Sequence, residues 1–369
     1  MPGSKPPFRA DQVGSLLRPQ ALKEPRARRA SGEIDAAALR AVEDDEIRKV
    51  IAKQESIGLK AVTDGEFRRA FWHLDFLERI GGVESYEGDQ QPMFKGVQHK
   101  PVMLRTVGKV AATLDHPMID HFRFVKDNAN VVAKMTIPSP TSLHFRYGRA
   151  SIDAGVYPDL DAFFDDLGQA YAAMVQAFYD AGCRYLQLDE VNMAYLCDPE
   201  QRDGVRERGA DPETLPATYA RLMEAAIGGR PDDMSVTTHL CRGNFRSTFV
   251  ASGGYEPVAE VLLNAISFDG YFMEYDTDRA GGFEPLRFTP KGKTIVLGLV
   301  TSKTGEMESK DAIKARIEEA SRFVPLDQLA LSPQCGFSST EEGNVITEDD
   351  QWRKLEMVVE VANEVWGGL

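Results

Sequence analysis

His239 and Cys241 stand two positions apart at the end of an apolar, β-branched run, TTHLC. Side chains two apart in an extended segment point the same way. An imidazole and a thiol would therefore face one surface together. Glu274, in FMEYD, and Cys335, in SPQCGF, follow two further runs of the same kind. Imidazole, thiolate and carboxylate ligands together match the donor preferences of zinc. Each residue alone is a weak signal, because a free cysteine is most often a small buried hydrophobe; Cys183 and Cys197, which lack such neighbours, are read that way. The signal rises because three ligand types end separate runs. Two acidic pairs end others: Asp64 and Glu66 in TDGEFRR, and Asp189 and Glu190 in LQLDE. One carboxylate of the second pair is a candidate cap for the next helix.

These residues need elements that bring them together. Short apolar segments at 12–15, 60–64, 134–137, 185–189, 235–239, 270–274, 294–300 and 328–332 read as strands. Amphipathic patterns at 36–57, 160–181, 216–228, 256–265 and 309–323 read as helices. Strands alternating with helices imply a parallel sheet with right-handed crossovers. Eight such units predict an α/β fold of the (β/α)8 TIM-barrel type, in which the C-terminal strand ends converge on one mouth. A doubly wound sheet is the weaker alternative, since no G-x-G-x-x-G follows the first strand. Residues 84–124 have no clean helical period and read as an insertion, of β-hairpin character, between the second and third units. The expectation is one domain over 1–369.

Composition narrows the partners. The 369 residues carry a formal net charge of −14, which argues against nucleic acid because phosphate binding needs a concentrated basic surface. No stretch approaches the ~18 apolar residues of a membrane span, and residues 1–10 lack the apolar core of a signal peptide. Four cysteines in this length do not make a disulfide framework, so a cytoplasmic location is expected. The RARRAS run at 26–31 reads as a solvated face, Trp72-His73 as packing a helix or rimming a pocket, and His144 as a possible substrate contact. Oligomeric state is not legible.

The motifs VGSLLRP (13–19), DGEFRR (64–69), LQLDE (186–190), THLCRGNF (238–245), the FMEYD segment and SPQCGF (332–337) occur in an order that resembles the catalytic domain of cobalamin-independent methionine synthase, in a short single-domain form. The resemblance spans nearly the whole chain. It implies zinc held by His239, Cys241, Glu274 and Cys335. It also implies that Gly14 and Ser15 bind the carboxylate of an amino-acid substrate, and that Glu66 and Asp189 hold its ammonium group and serve the catalytic site. The implied activity is methyl transfer to a small thiol such as homocysteine, giving methionine, from 5-methyltetrahydrofolate or another donor.

Two segments depart from the family pattern. GLVTSKTGEME (298–308) stands where the family has a proton-donating His within a GVYDIHSP-like run, and TIPSPTSLHF (136–145) replaces a Gly-Pro-Val-Thr type segment facing the donor. The donor is therefore open, a corrinoid or methyl-carrier protein included. So is a different electrophile, an epoxide or ether carbon. Further alternatives are a metal-free barrel lyase or aldolase using Asp189, Glu66 and Lys303 as acid and base, and a non-catalytic thiol sensor.

Overall fold

A computed structural model describes residues 5–88 and 102–367. Ten strands are assigned in it: β1 (Ala61–Val62), β2 (Gly81–Glu87), β3 (Val102–Ala111), β4 (Val132–Ala133), β5 (Met135–Pro138), β6 (Tyr185–Asp189), β7 (Ser235–Leu240), β8 (Gly270–Glu274), β9 (Thr294–Val300) and β10 (Leu329–Pro333). Six of them form one parallel sheet in the order β10-β9-β8-β7-β6-β5. Every residue of β6, β8 and β10 is buried, as parallel strands covered on both faces require. The fold is thus α/β with parallel sheets.

Two shorter contacts extend the neighbour order. β1 pairs in parallel with β4, with Ala61 opposite Val132. Lys134 alone separates β4 from β5, and its N–H donates to Val62 O at 2.9 Å. At the other edge Ala10 bridges Leu331 in parallel, supported by Asp11 N to Leu331 O at 3.0 Å and Leu331 N to Arg9 O at 2.9 Å. The first strand expected at 12–15 is therefore misplaced. Pairing centres on Ala10, and Gly14, at φ 150°, turns the chain instead. A side chain at position 14 would meet Thr136 Cγ2 at 2.6 Å, so only glycine passes between Thr136 and Glu66.

The segment expected as an insertion is partly an antiparallel hairpin of β2 and β3, with Glu84 opposite Arg105. It begins earlier than expected, at Gly81. Its predicted end also needs correction: 117–124 belong to a helix, Pro117–Asn128. Pro117 supplies a first-turn residue that needs no N–H partner. His116 Nδ1 accepts from Met118 N at 3.1 Å. Residues 89–101 of that expectation lie outside the described residues.

The expected helices form within a few residues of their predicted limits, as Ala36–Ser56, Leu160–Asp180, Leu215–Ile227, Glu256–Asn264 and Lys310–Ala320. Leu160–Asp180 shows why. Phe163, Leu167, Tyr171, Met174 and Phe178 recur at three- and four-residue spacing and are all buried. The helix Glu348–Trp366 was missed, although Thr347 and Asp350 form a reciprocal capping box at its start. Among the described residues, no helix is long and apolar enough to cross a membrane.

Candidate metal centre

The alternation of an extended chain places His239 and Cys241 on one side of the end of β7. Glu274 closes β8, and Cys335 follows β10 by two residues. One ligand atom from each of the four lies within 4.8 Å of the others, and all four side chains are buried. The two Sγ atoms are 3.5 Å apart, with no disulfide between them. Neither ring nitrogen of His239 makes a geometrically sound hydrogen bond; the Cys335 thiol, itself a candidate ligand, is the side chain that acts on it most strongly, and a buried imidazole so placed is costly unless something else is bound there. Glu274 is fixed from behind: its Oε1 accepts from Arg242 N at 2.8 Å and its Oε2 from Arg279 Nη2 at 2.9 Å.

The thiols are unequal. Cys335 is held well below the usual thiol range, first by the hydrogen bond from Cys241 and then, against burial, by the charges of His239 and Lys303. Cys241 is pushed well above it, because it donates that bond and is buried beside Cys335. The first thiol proton leaves readily. Removing the second calls for another positive charge, which a divalent cation supplies. The donor set, its burial and the open imidazole therefore fit a soft or borderline divalent metal.

Three of these four, without Glu274, form one wall of a cavity partly open to solvent. His239, Cys241, Cys335, Ser15, Glu66 and Asp189 all line it. Glu66 is held in a left-handed backbone, φ 61°, by Asp64 Oδ1 accepting its N–H at 2.8 Å. Its Oε1 accepts from Thr136 Oγ1 at 2.8 Å and pairs with Arg69 at 3.4 Å, but its Oε2 is buried without a partner. Burial raises its pKa against the pull of Arg69 and Arg18. Burial likewise pushes Asp189 up to about 7, opposed mainly by His239. Gln187 Nε2 joins Asp189 Oδ1 to Val13 O, both at 2.7 Å. Ser15 is seated against the Cys335 loop: its O accepts from Phe337 N at 2.9 Å.

Trp72 and His73 do rim this cavity. Glu190 meets the start of the short helix Asn192–Tyr195, accepting from Asn192 N at 2.7 Å and Met193 N at 2.9 Å. It also accepts from Ser139 and Thr141 of the unusual TIPSPTSLHF segment. His144 does not line the cavity; it is buried, with Nδ1 2.8 Å from Tyr219 Oη. Arg26 departs from the solvated reading, since its guanidinium donates to Phe67 O at 2.6 Å and Arg69 O at 3.1 Å. Arg28 and Arg29 are exposed as expected. Phe71, Arg146, Tyr195, Asn244 and Phe245 also line it; Asn244 and Phe245 fall within THLCRGNF, but no role is expected of any of the five. They sit on connections whose path only the fold reveals.

A parallel α/β fold with a buried His, Cys, Glu, Cys group at its strand ends defines a class, and the chain belongs to one family within it. Residues 8–364 match the model of the cobalamin-independent synthase catalytic domain, a family of methionine-synthase-like methyltransferases. The chain is 50% identical to uncharacterized protein YxjH of Bacillus subtilis, over 98% of this chain and 96% of that one. A crystal structure from Listeria monocytogenes, provisionally assigned as a vitamin-B12-independent methionine synthase, is 44% identical, covers 99% of both chains and superposes with a TM-score of 0.80. A B12-independent methionine synthase from Shewanella, solved with selenomethionine, shares the fold at 18% identity and a TM-score of 0.71, over 97% of this chain and 98% of that one. The 5-methyltetrahydropteroyltriglutamate–homocysteine methyltransferase of Mycolicibacterium paratuberculosis is 24% identical over 99% of this chain, which spans 44% of that longer protein.

Proposed function

We propose that this chain is a zinc-dependent thiol alkyltransferase that moves a methyl group to a small thiol such as homocysteine, giving methionine. The observation that carries the reading is one cavity wall bearing both a buried His, Cys, Cys donor set, backed by Glu274, and two buried carboxylates, Glu66 and Asp189. His239, Cys241, Glu274 and Cys335 would hold the metal. Bound zinc lowers the pKa of a coordinated thiol, so that the reactive thiolate exists at neutral pH.

The chain's own residues would do the rest. Glu66 and Asp189 receive the substrate ammonium, which satisfies the open Oε2 of Glu66. The Gly14–Ser15 turn receives its carboxylate through a hydroxyl and backbone N–H. Phe71, Trp72, Tyr195 and Phe245 exclude water and hold the donor's alkyl carbon against the sulfur. The sulfur lone pair forms the new S–C bond, and the electrons of the broken bond stay with the donor's leaving atom. We read the eight strand segments as a (β/α)8 barrel interrupted by the hairpin, forming a single domain over 1–369 in a reducing, cytoplasmic setting that keeps Cys241 and Cys335 as thiols. The donor is 5-methyltetrahydrofolate, a corrinoid or methyl-carrier protein, or another alkyl compound. A second reading keeps the thiolate and changes the electrophile to an epoxide or ether carbon. It is favoured by the two segments that depart from the family pattern, 298–308, which lacks the family's His, and 136–145 on the donor side.

The test measures zinc per chain and then methionine formed from homocysteine with a panel of methyl donors. The expectation is about one zinc per chain and turnover that stops on chelation and returns with zinc. Full turnover by a folded, zinc-free protein would discard the reading. Thioether products from epoxides, with no methionine from any donor, would select the second.

A further inference from the structure

The two thiols sit on different loops, yet their sulfurs are 3.5 Å apart. Something must hold those loops in register. The loop after Cys241 closes on itself, with Val250 N and Ala251 N donating to Arg242 O at 2.9 and 3.0 Å, but those bonds do not reach the Cys335 loop. Gly243, Arg246 and Ser247 all have left-handed backbones, at φ 92°, 45° and 65°. Such conformations in non-glycine residues persist only where surrounding structure enforces them.

Ser247 itself is held by Asn344, whose Oδ1 accepts from Ser247 N at 3.1 Å; the contacts that tie this loop towards Cys335 come from the segment just after β9. Lys303 is 7% exposed. Its Nζ donates to Gly243 O at 3.2 Å, Asn244 Oδ1 at 3.0 Å and Thr248 O at 3.1 Å. An ammonium has three N–H groups, and these three acceptors, all on the loop after Cys241, use them. Asn244 passes the connection on: its Nδ2 donates to Gly336 O, next to Cys335, at 2.7 Å. Ser302 grips the same place directly. Its Oγ donates to Gly336 O at 3.0 Å, and its N–H donates to Gln334 Oε1 at 2.7 Å. One dipeptide, Ser302-Lys303, thus holds the Cys241 loop with one residue and the Cys335 loop with the other, and Asn244 closes the ring.

We propose that Ser302, Lys303 and Asn244 form a brace that sets the separation of the two thiol ligands, and that Lys303 is a positioning residue rather than the proton donor of the reaction. This rests on the metal reading above. The lysine's charge also acts on both thiols and on Glu274, so the brace offsets part of the negative charge it holds together. Partners one step removed from a metal typically alter its affinity 10–100-fold.

The experiment compares the full chain with Lys303→Met, Lys303→Arg and Asn244→Ala. Zinc affinity is read by competition with a chromophoric chelator, and ligand geometry by the thiolate-to-metal absorption of the cobalt(II) form. Lys303→Met should weaken zinc binding at least about tenfold and shift the cobalt band. Lys303→Arg should recover part of both, and Asn244→Ala should move both the same way by less. Activity should fall in step with lost zinc. If Lys303→Met does not fold, Asn244→Ala decides. Wild-type zinc affinity and an unchanged cobalt spectrum in the folded variants would overturn the brace. A further loss of about a hundredfold at saturating zinc, the size expected of a missing general acid, would also overturn it, by making Lys303 the acid. Failure of the wild-type chain to bind zinc would instead remove the metal reading on which the brace rests.

Discussion

The two ends of β6 carry two buried polar clusters of opposite character. At its start, Tyr185 donates its hydroxyl to Asp11 Oδ2 at 2.8 Å. Asp11 also accepts from Phe8 N at 3.1 Å, Gln12 N at 2.8 Å and Lys134 Nζ at 3.3 Å, while Lys134 donates to Gln12 O at 2.5 Å and lies over the Phe272 ring at 4.1 Å. Both members of this ion pair are wholly buried, and each has partners. At the other end of β6, Asp189 faces a cavity that holds an imidazole whose hydrogen-bonding neighbour is the Cys335 thiol alone, at poor geometry, and a glutamate with an unpartnered oxygen. Burial is equal and satisfaction is not. A closed network belongs to the fold, since buried polar groups are stable only when bonded. An open one keeps its bonding capacity for something outside the chain.

That contrast can be broken most sharply at Cys335. Cys335→Ala should remove metal binding and lower alkyl transfer by about three orders of magnitude or more, consistent with loss of a unit-acting group, while the metal-free protein unfolds at nearly the wild-type denaturant concentration. A large loss of stability with zinc retained would mean that the cluster is structural after all. Lys134→Met tests the other end. Leaving Asp11 buried without its cation should destabilise the protein by about 3–5 kcal/mol, read from denaturant unfolding, with zinc content per folded chain unchanged.

The smallest effect sharpens the comparison through pH. Asp189 has its folded pKa raised to about 7 by burial, above its unfolded value. Its stabilising neutral form is therefore fully present below about pH 4 and lost as pH rises through 7. The metal-free protein should lose stability over that range, and Asp189→Asn should flatten the curve. An identical pH dependence in the variant would show that the open end carries no such strain.

Much of the site was legible because its residue types follow strand ends that the apolar runs announce. His239 and Cys241 share a side because they are two apart in an extended chain, and Glu274 ends β8 where the run ends. The first strand was misplaced because Val13, Leu16 and Leu17 look like strand residues, whereas Gly14 diverts the chain into a turn. The helix at Pro117–Asn128 was absorbed into the insertion because its start rests on His116, an unusual cap. Phe71 and Arg146 gave no signal, and Phe245 only a place within THLCRGNF, because local pattern does not say where a loop returns.

By itself, the amino-acid order determined the period of each element, the strand ends where ligand types fall and the acidic balance that disfavours nucleic acid. These are local or additive properties, carried by spacing and composition. Only the tertiary structure decided that four side chains spread across nearly a hundred residues share a volume less than 5 Å across, that Asp189 rather than Glu190 faces the cavity, and that Lys303 spends its donors on the Cys241 loop. Those outcomes depend on how strands neighbour one another and on which polar atoms find partners once water is excluded, and neither is written at any single position.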